Sequence, residues 1–443
     1  MRVVTIEQMR EADRRTIESG ISGGELMARA GTRVVEFLER EFAPLARQRV
    51  VIFCGSGNNG GDGLVVGRLL KTRVESLHVV RAADPPGPVD KTATIVIDAL
   101  LGTGARAPLT GRYGELVQSI NHDFPRAKIV AVDIPSAMEV RADFTVSFAA
   151  IKAESVLSPH ADRAGKWIVA DIGIPPAFLE STLELSEPAD FAPLFQPRER
   201  VSNKGDYGHV LVVGGATGKT GAAAMAGLAA LRAGAGLVTV ACSDASRLAP
   251  ELMTQSLDAV NLDRITVLAM GPGLGPAKQL VESLMSAAKI PSVIDADALN
   301  AIAGTDFRGR GLATVLTPHP GEMARLIGHQ VVDRLSEART FAQERNVCLV
   351  LKGFRTLIAF PDGKVWINPS GSPALAKGGT GDILTGLAAG CLAQFPSQPG
   401  LAVRAAVWLH GRAGELAAQE LTEHCVLATD LLRYLPGAIR ECV

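Results

Sequence analysis

The chain has 443 residues, too many for one ordinary hydrophobic core and suited to two domains of roughly 200 residues each. With 47% hydrophobic and 21% charged residues and a formal net charge of −1, it has a globular composition and no long-range field to draw it onto nucleic acid or an anionic membrane. Anionic ligands would then be held by local devices such as glycine-rich backbone nests. The six cysteines form no CxxC pair, and no run of about 18 uncharged apolar residues offers a membrane span. Met1-Arg-Val-Val-Thr-Ile-Glu meets charge at once and lacks an apolar signal region, so the cytosol is the expected compartment.

Met9, Ala12, Ile17 and then Leu26, Met27, Ala30, Val34, Phe37 and Leu38 recur at helical spacing, which predicts helices at the start of the chain. The β-branched run Arg49–Cys54 predicts the first strong strand and ends in glycines. Alternation follows: a helix near 63–70, strands at 77–80 and 93–98, a helix near 114–120 and a strand at 128–133, with further strands at 140–148 and 167–171. Short apolar strands alternating with helices imply a parallel sheet covered on both faces. From Pro175 to Arg200 the sequence turns Pro- and acid-rich, which predicts a linker and a boundary near residue 195, giving domains 1–195 and 198–443. Beyond it the grammar restarts, with strands at 209–213, 237–242, 265–270, 292–295, 313–317, 348–352 and 356–360. Helices are expected over 221–235, from about Asp382, and over 402–420.

Gly55-Ser-Gly57-Asn-Asn-Gly60 spells GxGxxG between a strand and a helix. The acid of a dinucleotide fingerprint is missing at the end of the next strand, and Asp62 would oppose a pyrophosphate there. The loop therefore reads as a ligand loop other than a plain dinucleotide cradle. Asn59, Asp98 and Ser136 fall at neighbouring strand ends, and three oxygen-bearing side chains suit a hard cation. In the second half Gly214–Thr220 resembles a phosphate-binding loop but has three residues between its glycines where four are required. His319 is held between two prolines at a strand's carboxyl end. Lys377-Gly-Gly-Thr-Gly381-Asp382 opens a small-residue helix, so its backbone N–H groups can receive a transferring phosphoryl group while Asp382 takes a proton from the attacking hydroxyl.

At this point the sequence resembles the bifunctional NAD(P)H-hydrate repair family over essentially the whole chain. The first half is similar to its hydrate epimerase domain through Leu26–Gly31, Gly57–Gly63, Asp98–Gly104 and Val132–Ser136. The second resembles its ribokinase-like dehydratase domain through Lys204–Gly208, Leu231–Gly236, Gly271–Gly275, Thr317–Glu322, Lys352-Gly353 and Gly379–Asp382. The resemblance implies two three-layer αβα domains, the first Rossmann-like and the second ribokinase-like. It implies that Asn58, Asn59, Gly60, Gly61 and Asp62, the segment Gly102, Thr103, Gly104, Ala105, Arg106, Ala107 and Pro108, and a catalytic Asp133 meet the hydrated cofactor, NADHX or NADPHX. Potassium would be held by Asn59, Asp98 and Ser136. In the second domain Ala222, Gly273, His319 and the catalytic Asp382 would line the hydrate site. Lys352, Gly353, Phe354, Arg355, Thr356 and Gly381 would hold ADP or ATP with Mg2+. A homo-oligomer is expected. The first half departs from the family pattern in a short connection before Asp98 and in Ala137, which stands where the family has glycine. The competing reading is a ribokinase-like small-molecule kinase carrying a non-catalytic N-terminal binding module.

Overall fold

The computed structural model describes residues 1–443 apart from 105, 106, 158, 160 and 247, so Ala105 and Arg106 lie outside the described residues. The chain divides into two compact units, 1–181 and 182–443.

In the first unit β1 (Arg2–Val4) leads into α1 (Ile6–Glu18), which Thr5 and Gln8 close with a capping box, and α2 (Gly23–Phe42), capped by Ser22. There follow β2 (Arg49–Cys54), α3 (Asn58–Leu70), β3 (Ser76–Arg81), β4 (Ile95–Ala99), α4 (Gly111–His122), β5 (Lys128–Val132), β6 (Phe144–Phe148), β7 (Ile151–Lys152), α5 (Ala153–Leu157) and β8 (Lys166–Ala170). A parallel sheet runs in the order β3-β2-β4-β5-β6-β8, and β1 pairs with β7. Inward residues of α2 and α3 (Val34, Leu38, Val66, Leu70) pack on one face of β2 and β4, and Leu116, Val117 and Ile120 of α4 pack on the other. The connection from β3 to β4 contains no helix.

The second unit begins earlier than its Pro-rich start suggests. β9 (Leu183–Leu185) is its own edge strand, and Phe191 and Leu194 are buried in its core, with the Phe191 ring centroid 5.9 Å from that of Trp408. Arg404 closes the segment with an ion pair to Asp190. The expected boundary at 195 is thus corrected to 181, because residues 182–195 bury their apolar side chains in the second core. The rest runs β10 (His209–Val213), α6 (Thr220–Arg232), β11 (Leu237–Cys242), β12 (Met253–Ser256), β13 (Val267–Met270), α7 (Lys278–Ala287), β14 (Ser292–Ile294), α8 (Ala296–Ile302), β15 (Gly311–Leu316), α9 (Pro320–Ile327), α10 (Arg334–Arg345), β16 (Val347–Leu351), β17 (Leu357–Ala359), β18 (Val365–Ile367), α11 (Thr380–Gln394), α12 (Pro399–Cys425) and α13 (Leu431–Arg440). The order is β12-β11-β10-β13-β14-β15-β16-β17-β18-β9, parallel through β16 and then antiparallel at β17 and β18. α11 is buried almost throughout and lies against α6 through small residues: a side chain on Gly386 would strike the Ala226 carbonyl. That close fit fixes where the first turn of α11 points.

Candidate active sites

In the first unit the turn after β2 is forced by close backbone approach. A Cβ on Gly55 would lie 1.7 Å from the Leu100 carbonyl oxygen, and one on Gly60 would lie 1.9 Å from that of Gly55. α3 therefore starts at Asn58, earlier than expected, and Asp62 lies one turn inside it rather than at its tip. Asn58, Asn59, Asp62, Gly102, Thr103 and Asp133 line one cavity of about 450 Å3 together with Met9, Asp13, Met27, Phe148 and Lys152. Gly60 and Gly61 are not part of its lining; a Cβ on Gly60 would strike the Gly55 carbonyl and one on Gly61 the Met27 side chain. Gly104, Ala107 and Pro108 are not part of its lining: a Cβ on Gly104 would lie 3.5 Å from the Arg10 guanidinium, and Leu109, beyond Pro108, packs on the opposite face of the sheet.

A buried ion pair sits at the cavity's base. Lys152, 1% exposed, hydrogen-bonds Asp133 and donates to the Phe148 carbonyl at 2.9 Å. Asp133 takes φ +67°, a conformation an Asp tolerates, and also accepts from Phe148 N–H at 3.0 Å. Two further carboxyls face this pair. Burial raises the Asp62 pKa to about 8, with the Asp133 and Asp13 charges adding to it and Lys152 opposing. Burial likewise lifts Asp13 to about 6, against the pull of Lys152. Near pH 7 the site thus offers a protonated carboxyl beside a charged pair.

Asp98 is fully buried and accepts from Ser136 Oγ at 2.6 Å, Ser136 N–H at 2.8 Å and Leu100 N–H at 3.2 Å. Burial still lifts its pKa to about 6. Ser136 Oγ accepts from Leu101 N–H, and the neighbouring Gly102 lies against the Asn59 side chain. Asn59 is 7% exposed, yet neither of its amide atoms finds a protein partner. An orphaned buried amide is costly, and an oxygen ligand for a hard cation accounts for half of it. On this ground Asn59 fits the expected potassium, while Asp98 and Ser136 already hydrogen-bond each other and neighbouring backbone. Ala137 takes φ +50°, so the glycine expected from the family pattern has a backbone reason.

In the second unit the N-terminus of α11 is the pivot. Gly379 has φ +94°, and a Cβ there would lie 2.7 Å from Met225 Cε, so only glycine fits. No side chain caps the first turn of α11. On one side of it lies a largely apolar cavity of about 430 Å3, lined by Lys352, Gly353, Phe354, Arg355, Thr356 and Gly381, with Leu384, Val407 and His410 among its walls. All six expected nucleotide residues meet there. His410 Nε2–H donates to the Thr380 carbonyl at 2.8 Å, and burial lowers the ring's pKa to about 4, so the neutral ring with its proton on Nε2 is the form that fits.

Lys352 joins this cavity to a carboxylate cluster. Its Nζ lies 2.9 Å from Asp295 and 3.7 Å from Glu322. Burial acts to lower its pKa, but the Asp295, Glu322 and Asp382 charges outweigh it and hold the ammonium above the ordinary range. Asp295 is locked from its other oxygen by Thr385 Oγ1 at 2.7 Å. Burial raises the Asp382 pKa to about 6, with Asp295 and Asp297 adding and Lys352 opposing. His319 caps α9: Nδ1 accepts from Gly321 and Glu322 N–H, leaving the proton on Nε2, 3.5 Å from Glu322 Oε2. Ala222 lies against Gly273, whose φ is +59°.

Sequence reasoning missed Lys152, Asp13, Asp295 and Thr385. Asp13 had a signal: it falls between Met9 and Ile17 on the helical stripe that lines the cavity. A lysine ending the apolar run Phe148-Ala-Ala-Ile-Lys152 was another.

Residues 210–437 match the family model described as NAD(P)H-hydrate dehydratase, and 23–91 with 76–165 match the one described as YjeF-related protein N-terminus. The bifunctional NAD(P)H-hydrate repair enzyme of Moorella thermoacetica is 39% identical over 518 aligned positions that span all of this chain and 97% of that protein. That of Coxiella burnetii is 36% identical over 97% of both chains. The crystal structure of the ADP/ATP-dependent NAD(P)H-hydrate dehydratase from Bacillus subtilis, co-crystallized with ATP/Mg2+, has a TM-score of 0.55 at 35% identity and covers 59% of this chain and 99% of that one. A ribokinase-like superfamily protein from Enterococcus faecalis has a TM-score of 0.54 at 28% identity, over 60% and 98%. Among the described residues no helix is long and apolar enough to cross a membrane. With an N-terminal unit that matches the YjeF-related model and a ribokinase-like C-terminal unit that matches the dehydratase model, the chain belongs to the family of bifunctional NAD(P)H-hydrate repair enzymes.

Proposed function

We propose that the second unit restores NADH and NADPH from their (S)-hydrates by phosphoryl transfer from ADP or ATP, and that the first interconverts the hydrate epimers. The observation that carries the reading is the placing of Asp382 and Lys352 at one uncapped helix start. On one side is the apolar cavity and on the other the Asp295–Glu322–Asp382 cluster. The adenine base occupies the cavity, and Lys352 Nζ and the first-turn N–H groups of α11 receive the phosphoryl oxygens. Asp382 accepts the proton of the ring hydroxyl as that oxygen bonds to phosphorus and the nucleotide leaves. The new phosphoester then departs as inorganic phosphate, and loss of the neighbouring ring proton forms the double bond. Both Asp295 oxygens are engaged by Lys352 and Thr385, so Mg2+ would enter with the nucleotide and would supply charge neutralisation at its phosphates.

In the first unit protonated Asp62 gives its proton to the departing hydroxyl of the hydrate. Water returning on either face of the flattened carbon regenerates both epimers and the acid. Asp133, held by Lys152, orients the ring, and Asn59, Asp98 and Ser136 would hold a potassium ion, which would supply positive charge beside the loop. The test is incubation with mixed NADHX epimers and ADP or ATP. Return of NADH with release of phosphate is expected; a stable phosphoester would instead make the protein a small-molecule kinase. Loss of epimer interconversion in Asp62→Asn with dehydration intact tests the first site.

A further inference from the structure

A second cavity of the C-terminal unit, about 410 Å3, lies beyond the carboxylate cluster between Lys219 and the start of α8. Its lining includes Lys219, Gly275, Lys278, Asp297 and Asn300. Asp297 ties it to the reaction centre, because the Asp297 charge reaches Asp382 and its Oδ2 accepts from Gly275 N–H at 2.7 Å. The Lys219 backbone ties it to the expected hydrate contacts, since its carbonyl would lie 2.7 Å from a Cβ on Gly273, beside Ala222.

The two lysines are weakly engaged. Lys219 Nζ stands 3.6 Å from Asp297, whose oxygen already serves Gly275, and Lys278 Nζ stands 3.8 Å from Glu282. Their side chains are 57% and 60% exposed. Arg325 adds a third cation at the rim, with Nε donating to Asn300 Oδ1 at 2.8 Å. Lys219, Lys278 and Arg325 therefore stand against two carboxylates, Asp297 in the lining and Glu282 beside Lys278, which leaves a net surplus of one positive charge at the cavity.

We infer that this cavity binds the diphosphate bridge of the hydrated dinucleotide, with Lys219 and Lys278 as its ligands. The inference rests on the reading of the second unit as a hydrate dehydratase. Once the hydrated ring lies at Asp382, the rest of the dinucleotide must leave the reaction centre by some route. The apolar cavity behind Lys352 is taken by the phosphoryl donor, and the opposite route passes Asp297 into the basic cavity. Lysine is suited to the task because its ammonium acts as a point charge on phosphate without demanding one fixed geometry.

The experiment measures steady-state NADH recovery by the full chain with NADHX and with NADPHX at saturating ADP. It compares wild type, Lys219→Gln, Lys278→Gln, the double variant and the distant control Lys364→Gln. Each single variant should raise KM for the hydrate by about tenfold, the size of one charge-assisted contact. The double variant should raise it further, with kcat within about twofold and the KM for ADP unchanged. The rise should be the same for both hydrates and should shrink as salt screens the wild-type contact. An unchanged hydrate KM in the double variant, or a rise in the ADP KM instead, overturns the inference. A rise confined to NADPHX also overturns it, because the lysines would then read the extra 2′-phosphate. If wild type recovers no NADH from either hydrate, the dehydratase reading itself has failed, which separates the two.

Discussion

Replacing Asp382 by asparagine should push activity and stability in opposite directions. Burial, helped by the Asp295 charge and opposed by Lys352, raises the Asp382 pKa from the ordinary 3.8 to about 6. The folded protein thus holds this proton more tightly than the unfolded chain does. By linkage, stability falls as pH rises from about 4 to about 6, and the full cost stands at pH 7. Two pKa units correspond to about 3 kcal/mol at most, and partial access to water reduces the expected figure to about 1–2 kcal/mol. Asp382→Asn removes the charge, so the unfolding transition of the second unit should move up by that amount at pH 7. The gain should vanish near pH 4, where the wild-type carboxyl is already protonated. Turnover moves the other way: loss of the base costs a factor of about 10²–10⁴, while nucleotide affinity stays near wild type. Wild-type kcat/KM for the hydrate should climb through pH 6 and the variant's residual rate should not. Unfolding followed by calorimetry and NADH recovery followed by absorbance supply both readouts. Recovery within tenfold of wild type, or a variant less stable at pH 7, would refute the assignment.

Three other perturbations address the first unit. Lys152→Met leaves the partly buried Asp133 with the Phe148 N–H as its remaining donor, so chemical denaturation should show a loss of about 2–3 kcal/mol, and epimer interconversion should stop while NADH recovery from the (S)-hydrate continues. Ala137→Gly relieves a left-handed residue at φ +50° whose strain is about 1–2 kcal/mol. After the extra entropy of glycine in the unfolded chain, a net gain of about 0.5–1 kcal/mol is expected, and calorimetry showing a loss would contradict it. Exchanging potassium for tetramethylammonium should slow epimerisation at least tenfold in wild type and leave Asn59→Leu, already slow, unchanged; equal rates in both salts for wild type would remove the cation from the site.

The strands were legible in the sequence because parallel sheets bury both faces, and runs such as Arg49–Cys54, His209–Val213 and Leu237–Cys242 were read to the residue. The glycine loops were legible for a related reason, since Gly55, Gly60 and Gly379 sit where any side chain would collide. Charged residues that serve another side chain were not legible. Asp295 and Thr385 are 90 positions apart and meet only because α11 packs over β14, and Lys152 becomes a buried cation only once Asp133 folds beside it. The boundary was misread because composition reports polarity and not pairing. Pro188 and Asp190 look like linker, yet Leu183, Leu185 and Phe191 supply the apolar surface that the second core needs.

The shortened first unit tests whether a trimmed sheet can keep its site, and the topology answers through handedness. From β2 the chain moves outward to β3, with α3 covering one face through Val66 and Leu70. From β3 it reverses direction to reach β4 and continues the same way to β5, so right-handed crossovers place both connections on the other face, where α4 lies. A helix inserted between β3 and β4 would therefore lie on the α4 face. The family match is split into two segments, 23–91 and 76–165, whose overlap falls on β3 and this same connection. Part of the lost cover is supplied by Ala82, Val89 and Ala93 of the connection itself, which pack with α4 against Val51, Phe53 and Val96. The cavity draws Met9 and Asp13 from α1, Met27 from α2, and Asn58, Asn59 and Asp62 from α3, all outside the trimmed connection. That connection lines no part of the cavity, so a helix-free link from β3 to β4 still leaves Asp62, Asp133 and Lys152 together.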